Sequence, residues 1–315
     1  MRMRWLLFKL GFFYPKIYAF LCYYRKKVRR REFEEKVVFF YPKEKDPRRV
    51  KAIVKGVFEL RGVRKVMRHL IPLMDGDIIK RFVRLEGIDH LDRILKEGRG
   101  VVLIAGHIGI PHLAFNALRV MGYDVVLLSG VAPKHPRHRR FRYYDTSENT
   151  IFVHDPSLSE EYKKRILGTL QSGKVIYYDG DAGEGRKKVT LSFFGKEMDF
   201  PTGMLHLAHQ AKAAIIPFIH LYQGGEITLT FKAAIDRDWE KGEEEYKRIA
   251  EEFAKLLEAY ILNYPGQYMG IYGPTVLNDY YRSHCNGRIS VDGEEEVRDQ
   301  RSEMRKKKSC SLEGS

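Results

Sequence analysis

Only three cysteines occur in 315 residues, Cys22, Cys285 and Cys310. They are far apart and lack metal-type spacing, which excludes a disulfide framework and a clustered-thiol metal site and fits a reducing compartment. Acidic residues are absent from positions 1–31, which hold ten Lys/Arg beside the apolar run "WLLFKLGFFYPKIYAFLCYY". Removing those ten from the formal charge of +15 leaves +5 for the rest, so the basic excess is local rather than a whole-protein field aimed at nucleic acid. Long charge-free apolar runs are also missing. Lys9 and Lys16 would each cost roughly 2.5–3.5 kcal/mol at mid-bilayer, and Pro15 interrupts the helical ladder. No small-residue cleavage site follows, as a signal peptide would require. These features predict a segment, 1–31, that lies in or is anchored to an anionic membrane surface, where the six charges from Arg25 to Arg31 can each add about 1 kcal/mol. Positive charge after the segment predicts that the body stays on the cytoplasmic side.

The remaining pattern alternates. Apolar, β-branched runs at 100–105, 124–128, 150–153, 174–178 and 214–221 have strand length, and helical periodicity intervenes at 111–121, 159–172 and 202–213. This predicts an α/β fold with a mostly parallel central sheet flanked by helices, preceded by an N-terminal membrane-associated helical segment. Asp46-Pro47 reads as an N-cap and first helical residue, opening a helix to Leu60, with another over 62–73. A last amphipathic helix spans 243–263 and stops before Pro265. The domain limits so predicted are 1–31 for the anchor, 32–283 for the α/β body, and 284–315 for a charged tail too poor in apolar residues to fold.

In such sheets chemistry gathers at the carboxyl ends of strands. His107 stands there, after the strand ending at Ala105. Gly109 and Pro111 mark the turn, and His112 falls in the first helical turn. Asp179 and Asp181 follow the strand "KVIYY" and should emerge at the same edge. A zinc site is disfavoured, since Pro111 breaks the spacing that helical histidine pairs need and no third ligand is evident.

The His-x4 spacing after a strand resembles the His-x4-Asp/Glu motif of the lysophospholipid acyltransferase superfamily, especially its lipid A late-acyltransferase and mannoside-acyltransferase branch. "RLEGIDHLDRILKEGRGVVLIAGHIG", "YYDGDAGEGRKKVTLSFFGKEMDFPTGMLHLA" and "NYPGQYMG" are similar to further family segments in the same order, over about residues 80–270. The resemblance implies transfer of a fatty acyl group from acyl carrier protein or acyl-CoA to a hydroxyl of a membrane lipid or glycolipid. It also implies that no cofactor or metal takes part and that His107 is the general base; the local charge pattern argues against nucleic acid. An imidazole titrating near neutrality suits that role, and no nucleophile elbow is needed.

One position departs from the family. Where Asp or Glu is expected, this chain has His112, which can accept a hydrogen bond but brings no compensating charge. Asp181 or Asp179 is therefore expected to orient His107, with His112 a secondary partner. The same departure leaves open a catalytically weak relative that only binds lipids or partners. Arg140 and Arg142, in "KHPRHRRFRYY", and Arg186 offer planar forks for anionic parts of donor or acceptor. Thr202 opens a helix whose free N–H groups could hold an anion. Phe193-Phe194-Gly195 is expected to form a turn.

Overall fold

The computed structural model describes residues 6–7, 10–11, 13–41, 44, 46–130, 149–153, 159–182, 185, 187–235, 237–273 and 275–285. Arg140, Arg142, Arg186 and the tail beyond 285 lie outside them. The chain divides into two units, Met1–Asn278 and Asp279–Ser315, the first of which contains both sheets.

Apolar side chains on both faces are what a doubly covered parallel strand requires, and β2 (Val101–Ala105) is buried at every position. Its neighbours are β5 (Val175–Asp179) and β8 (Ala214–Gln223), both parallel to it. Outward from β5 come β3 (Val125–Ser129) and β4 (Thr150–Phe152), also parallel. On the other side β9 (Glu226–Phe231) turns back antiparallel on β8, and β1 (Val83–Glu86) pairs parallel with β9. The sheet order is thus β1-β9-β8-β2-β5-β3-β4, mostly parallel as the sequence pattern predicts.

Helices cover both faces. On one, Val101, Leu103, Ala105, Tyr177, Ile216 and Phe218 share a core with α6 (Pro111–Val120) and with α3 (Pro47–Leu70). On the other, a Cβ on Gly180 would lie 2.7 Å from Ile104 Cγ1 and 2.9 Å from Phe253 Cε1 of α9 (Glu243–Asn263), so the position has no room for a larger residue. A separate antiparallel hairpin, β6 (Lys188–Phe193) and β7 (Lys196–Pro201), carries the expected turn: Phe194 and Gly195 have φ of 53° and 67°, the two positive values a tight hairpin needs.

One expectation for the N-terminal half changes. Asp46 caps α3 by accepting from Arg48 N at 2.9 Å, but the helix runs unbroken to Leu70 instead of restarting after Leu60. Gly62 lies inside it because a Cβ there would sit 2.9 Å from Pro15 Cα of α1 (Tyr14–Arg25). Among the described residues no helix is long and apolar enough to cross a membrane. α1 buries Pro15, Tyr18, Ala19, Cys22 and Tyr23 and exposes Tyr14, Ile17, Phe20, Leu21 and Tyr24 around its other side, with Phe13 exposed just before it. After α1 the chain turns into α2 (Lys27–Phe40).

Candidate active site

Parallel pairing of β2 with β5 sets Ala105 opposite Asp179, so the residues just past both strand ends share one edge. Gly180 N donates to Ala105 O at 2.7 Å, extending the ladder by one rung. One residue on, Asp181 turns its carboxylate toward His107. The ring Nδ1 of His107 lies 2.7 Å from Asp181 Oδ1, and the His107 backbone N–H donates to the same carboxylate at 3.0 and 3.2 Å. Asp181 is fully buried and His107 is 9% exposed. Asp179 Oδ2 stands 3.7 Å from His107 Nε2, too far for a hydrogen bond but near enough to act through its charge. The other oxygen, Asp179 Oδ1, is buried without a hydrogen-bond partner among the described residues.

The electrostatics follow. Burial by itself lowers the His107 pKa, but the Asp181 charge, the Asp179 charge and the Asp181 hydrogen bond outweigh it and raise it to about 9, with Arg64 of α3 opposing. Burial raises Asp179, and so does the Asp181 charge, while His107 pulls it down. Beneath them Tyr177 OH and His220 Nε2 are 2.7 Å apart, both buried. Burial first, then Arg64, lowers His220 to about 3, which keeps that imidazole neutral.

The corner after His107 requires glycine. Gly109 has φ of 63°, and a Cβ there would sit 1.8 Å from the His220 carbonyl oxygen. Pro111 then opens α6. Opposite the corner runs the segment Pro265–Ile271. Gly109 N donates to Gln267 O at 2.8 Å, Met269 N donates to His107 O at 2.7 Å, and Ile108 bridges Tyr268. Tyr268, fully buried, donates its hydroxyl to Asp181 Oδ2 at 2.9 Å.

Of the expected site residues the fold brings His107, Asp179 and Asp181 together. His112 is the second residue of α6 and half-buried, and its carbonyl accepts from Asn116 Nδ2 at 2.8 Å. Thr202 does precede a helix, α8 (Gly203–Gln210), but is 1% exposed. Its N–H donates to Lys187 O at 2.9 Å, and its carbonyl accepts from Leu205 and His206. Residue-by-residue reading misses Tyr268 and Arg64. The "NYPGQYMG" segment is conspicuous, but nothing local says which of its side chains reaches Asp181; Arg64 is one of many cations on α3. Among the described residues no three His, Cys, Asp or Glu side chains gather as metal ligands.

The family model described as bacterial lipid A biosynthesis acyltransferase matches residues 13–272 of this chain. Among solved structures it is similar to the 1-acyl-sn-glycerophosphate (LPA) acyltransferase PlsC from Thermotoga maritima, at 17% identity and a TM-score of 0.34, over 83% of this chain and 99% of that one. None of the curated proteins matches.

Proposed function

Since the chain belongs to the bacterial lipid A biosynthesis acyltransferase family, we propose that it moves a fatty acyl group from the thioester of acyl carrier protein or acyl-CoA to a hydroxyl of a membrane lipid or glycolipid, with His107 as general base. The observation that carries this reading is the 2.7 Å pairing of His107 Nδ1 with the buried Asp181. It fixes Nδ1 as the protonated ring atom and leaves Nε2 to take a proton. In the step, the acceptor O–H gives its proton to Nε2 as the oxygen attacks the thioester carbonyl carbon. The tetrahedral intermediate then collapses, the C–S bond breaks, and the imidazolium returns the proton to the thiolate. Asp181 and Asp179 stabilise the imidazolium in between, which is the task the family's carboxylate would have at position 112.

Attachment to the cytoplasmic face of the inner membrane is part of the proposal. The exposed apolar side of α1 and the basic run Arg25–Arg31 support it, since an apolar face beside clustered cations binds anionic bilayers. The test is incubation of purified protein with acyl carrier protein or acyl-CoA thioesters and total membrane lipid. Acylated lipid that depends on His107 supports the proposal. Lipid binding without transfer by the intact protein would favour the binding-only reading that His112 raises.

A further inference from the structure

The buried carboxylate of Asp181 is held from two sides. His107 takes Oδ1 through its ring and both oxygens through its backbone N–H, while Tyr268 OH donates to Oδ2 at 2.9 Å. Tyr268 is fully buried, so a hydroxyl placed there without a purpose would cost free energy. Its register is set on every side. Met269 N holds His107 O, Gly109 N holds Gln267 O, and the Gln267 side chain accepts from Tyr222 N and donates to Tyr222 O at 2.8 and 2.6 Å. Gly270 has no Cβ because one would lie 1.9 Å from Tyr268 Cε1, and Gly266 lets α3 approach, its own Cβ position lying 2.9 Å from Gly56 Cα. Two glycines and a side-chain amide thus fix one phenol against one carboxylate.

We propose that Tyr268 is a positioning residue for acyl transfer: its hydroxyl holds Asp181 so that Oδ1 faces His107 Nδ1, and by drawing on the carboxylate's charge it limits how strongly Asp181 retains the proton on His107. This rests on the reading of His107 as the base. The base works only when neutral, and two carboxylates already favour its protonated form. A donor on the second oxygen of Asp181 weakens that preference. The charged and titratable groups facing His107 are Asp179 at the end of β5, Asp181 two residues beyond it, Arg64 from α3 and His220 from β8; Tyr268 faces Asp181, with Tyr41 near it.

The experiment compares the full chain with Tyr268→Phe, which keeps the ring against Gly270. The readouts are kcat and KM for transfer and the titration of the His107 ring by NMR. The expected result is a fall in kcat of about 10- to 100-fold at nearly constant KM, with the His107 midpoint moved to higher pH. Replacing Tyr268 with 3-fluorotyrosine, a stronger donor of the same shape, should move the midpoint the other way, and this keeps the test alive if Tyr268→Phe does not fold. Unchanged midpoints, or a loss of activity that only follows a loss of folded protein, would overturn the proposal. The NMR titration reports on Tyr268 whether or not transfer depends on His107, so failure of the base assignment stays distinguishable.

Discussion

His107 meets Asp181 twice, through its ring nitrogen and through its own backbone N–H, both on one buried carboxylate. The main-chain N–H thus holds the carboxylate beside the ring, so that Oδ1 is in place for Nδ1. Asp181→Asn keeps an acceptor for that N–H but removes the charge. Losing the corresponding charge from a serine-protease triad costs about 10⁴ in turnover. With Asp179 still 3.7 Å from Nε2, the expected loss is about 10²- to 10⁴-fold in kcat, read in the transfer assay with the folded state checked by circular dichroism.

The pH dependence has a definite sign. A general base must be neutral, and the two aspartates hold His107 protonated up to about 9. The profile of kcat/KM reports the free enzyme, so it should rise with pH through the alkaline range and level off only above the His107 midpoint. In Asp181→Asn that midpoint should fall. A profile flat from about pH 7 to about pH 9 would contradict the assignment.

How far the sequence discloses this site can be read from individual residues. His107, Asp179 and Asp181 are legible because two strong β-branched runs predict adjacent parallel strands, and parallel neighbours bring their carboxyl ends together. The strand and helix limits around them shift by one to three residues at most. Tyr268 is not legible in the same way, because its partner is 87 positions away and only the packed corner defines the contact. The continuous helix α3 is hidden for a similar reason: Gly62 reads locally as a break, yet it serves the crossing of α1. The short strands β1 and β9, half polar in pattern, gain their identity from pairing with β8 rather than from periodicity.

His112 tests whether the carboxylate has moved from the helix to β5. If β5 supplies the charge, His112→Asp should leave the rate within about threefold or raise it. The new carboxylate in the first turn of α6 should also add about 0.3–1 kcal/mol through the helix dipole. Steady-state rates and thermal unfolding measure both, and destroyed activity in a still-folded variant would contradict the assignment.

Gly109 and Gly98 form a matched comparison. Both have positive φ, 63° and 71°, but a Cβ on Gly98 meets nothing within 4 Å whereas one on Gly109 runs into the His220 carbonyl. Gly98→Ala should cost about 1–2 kcal/mol, the backbone penalty alone. Gly109→Ala should cost about 3 kcal/mol or more and displace the corner that carries His107. Denaturant midpoints and transfer rates separate the two.

The apolar face of α1 gives a prediction about attachment. Ile17 and Phe20 are each 59% exposed, and burying such a side chain is worth about 1.5–3 kcal/mol. Ile17→Glu or Phe20→Glu should weaken co-flotation with anionic vesicles by about tenfold or more per site. Binding unaffected by either change would remove α1 from the membrane contact.

The most direct measurement is transfer by His107→Ala, with folding verified, from acyl carrier protein and acyl-CoA thioesters to membrane lipid. The expected result is a loss of about 10³-fold or more relative to the unaltered chain, because Nε2 of His107 is the atom that takes the proton. A folded His107→Ala protein that keeps a tenth of the rate, or about that much, would contradict it.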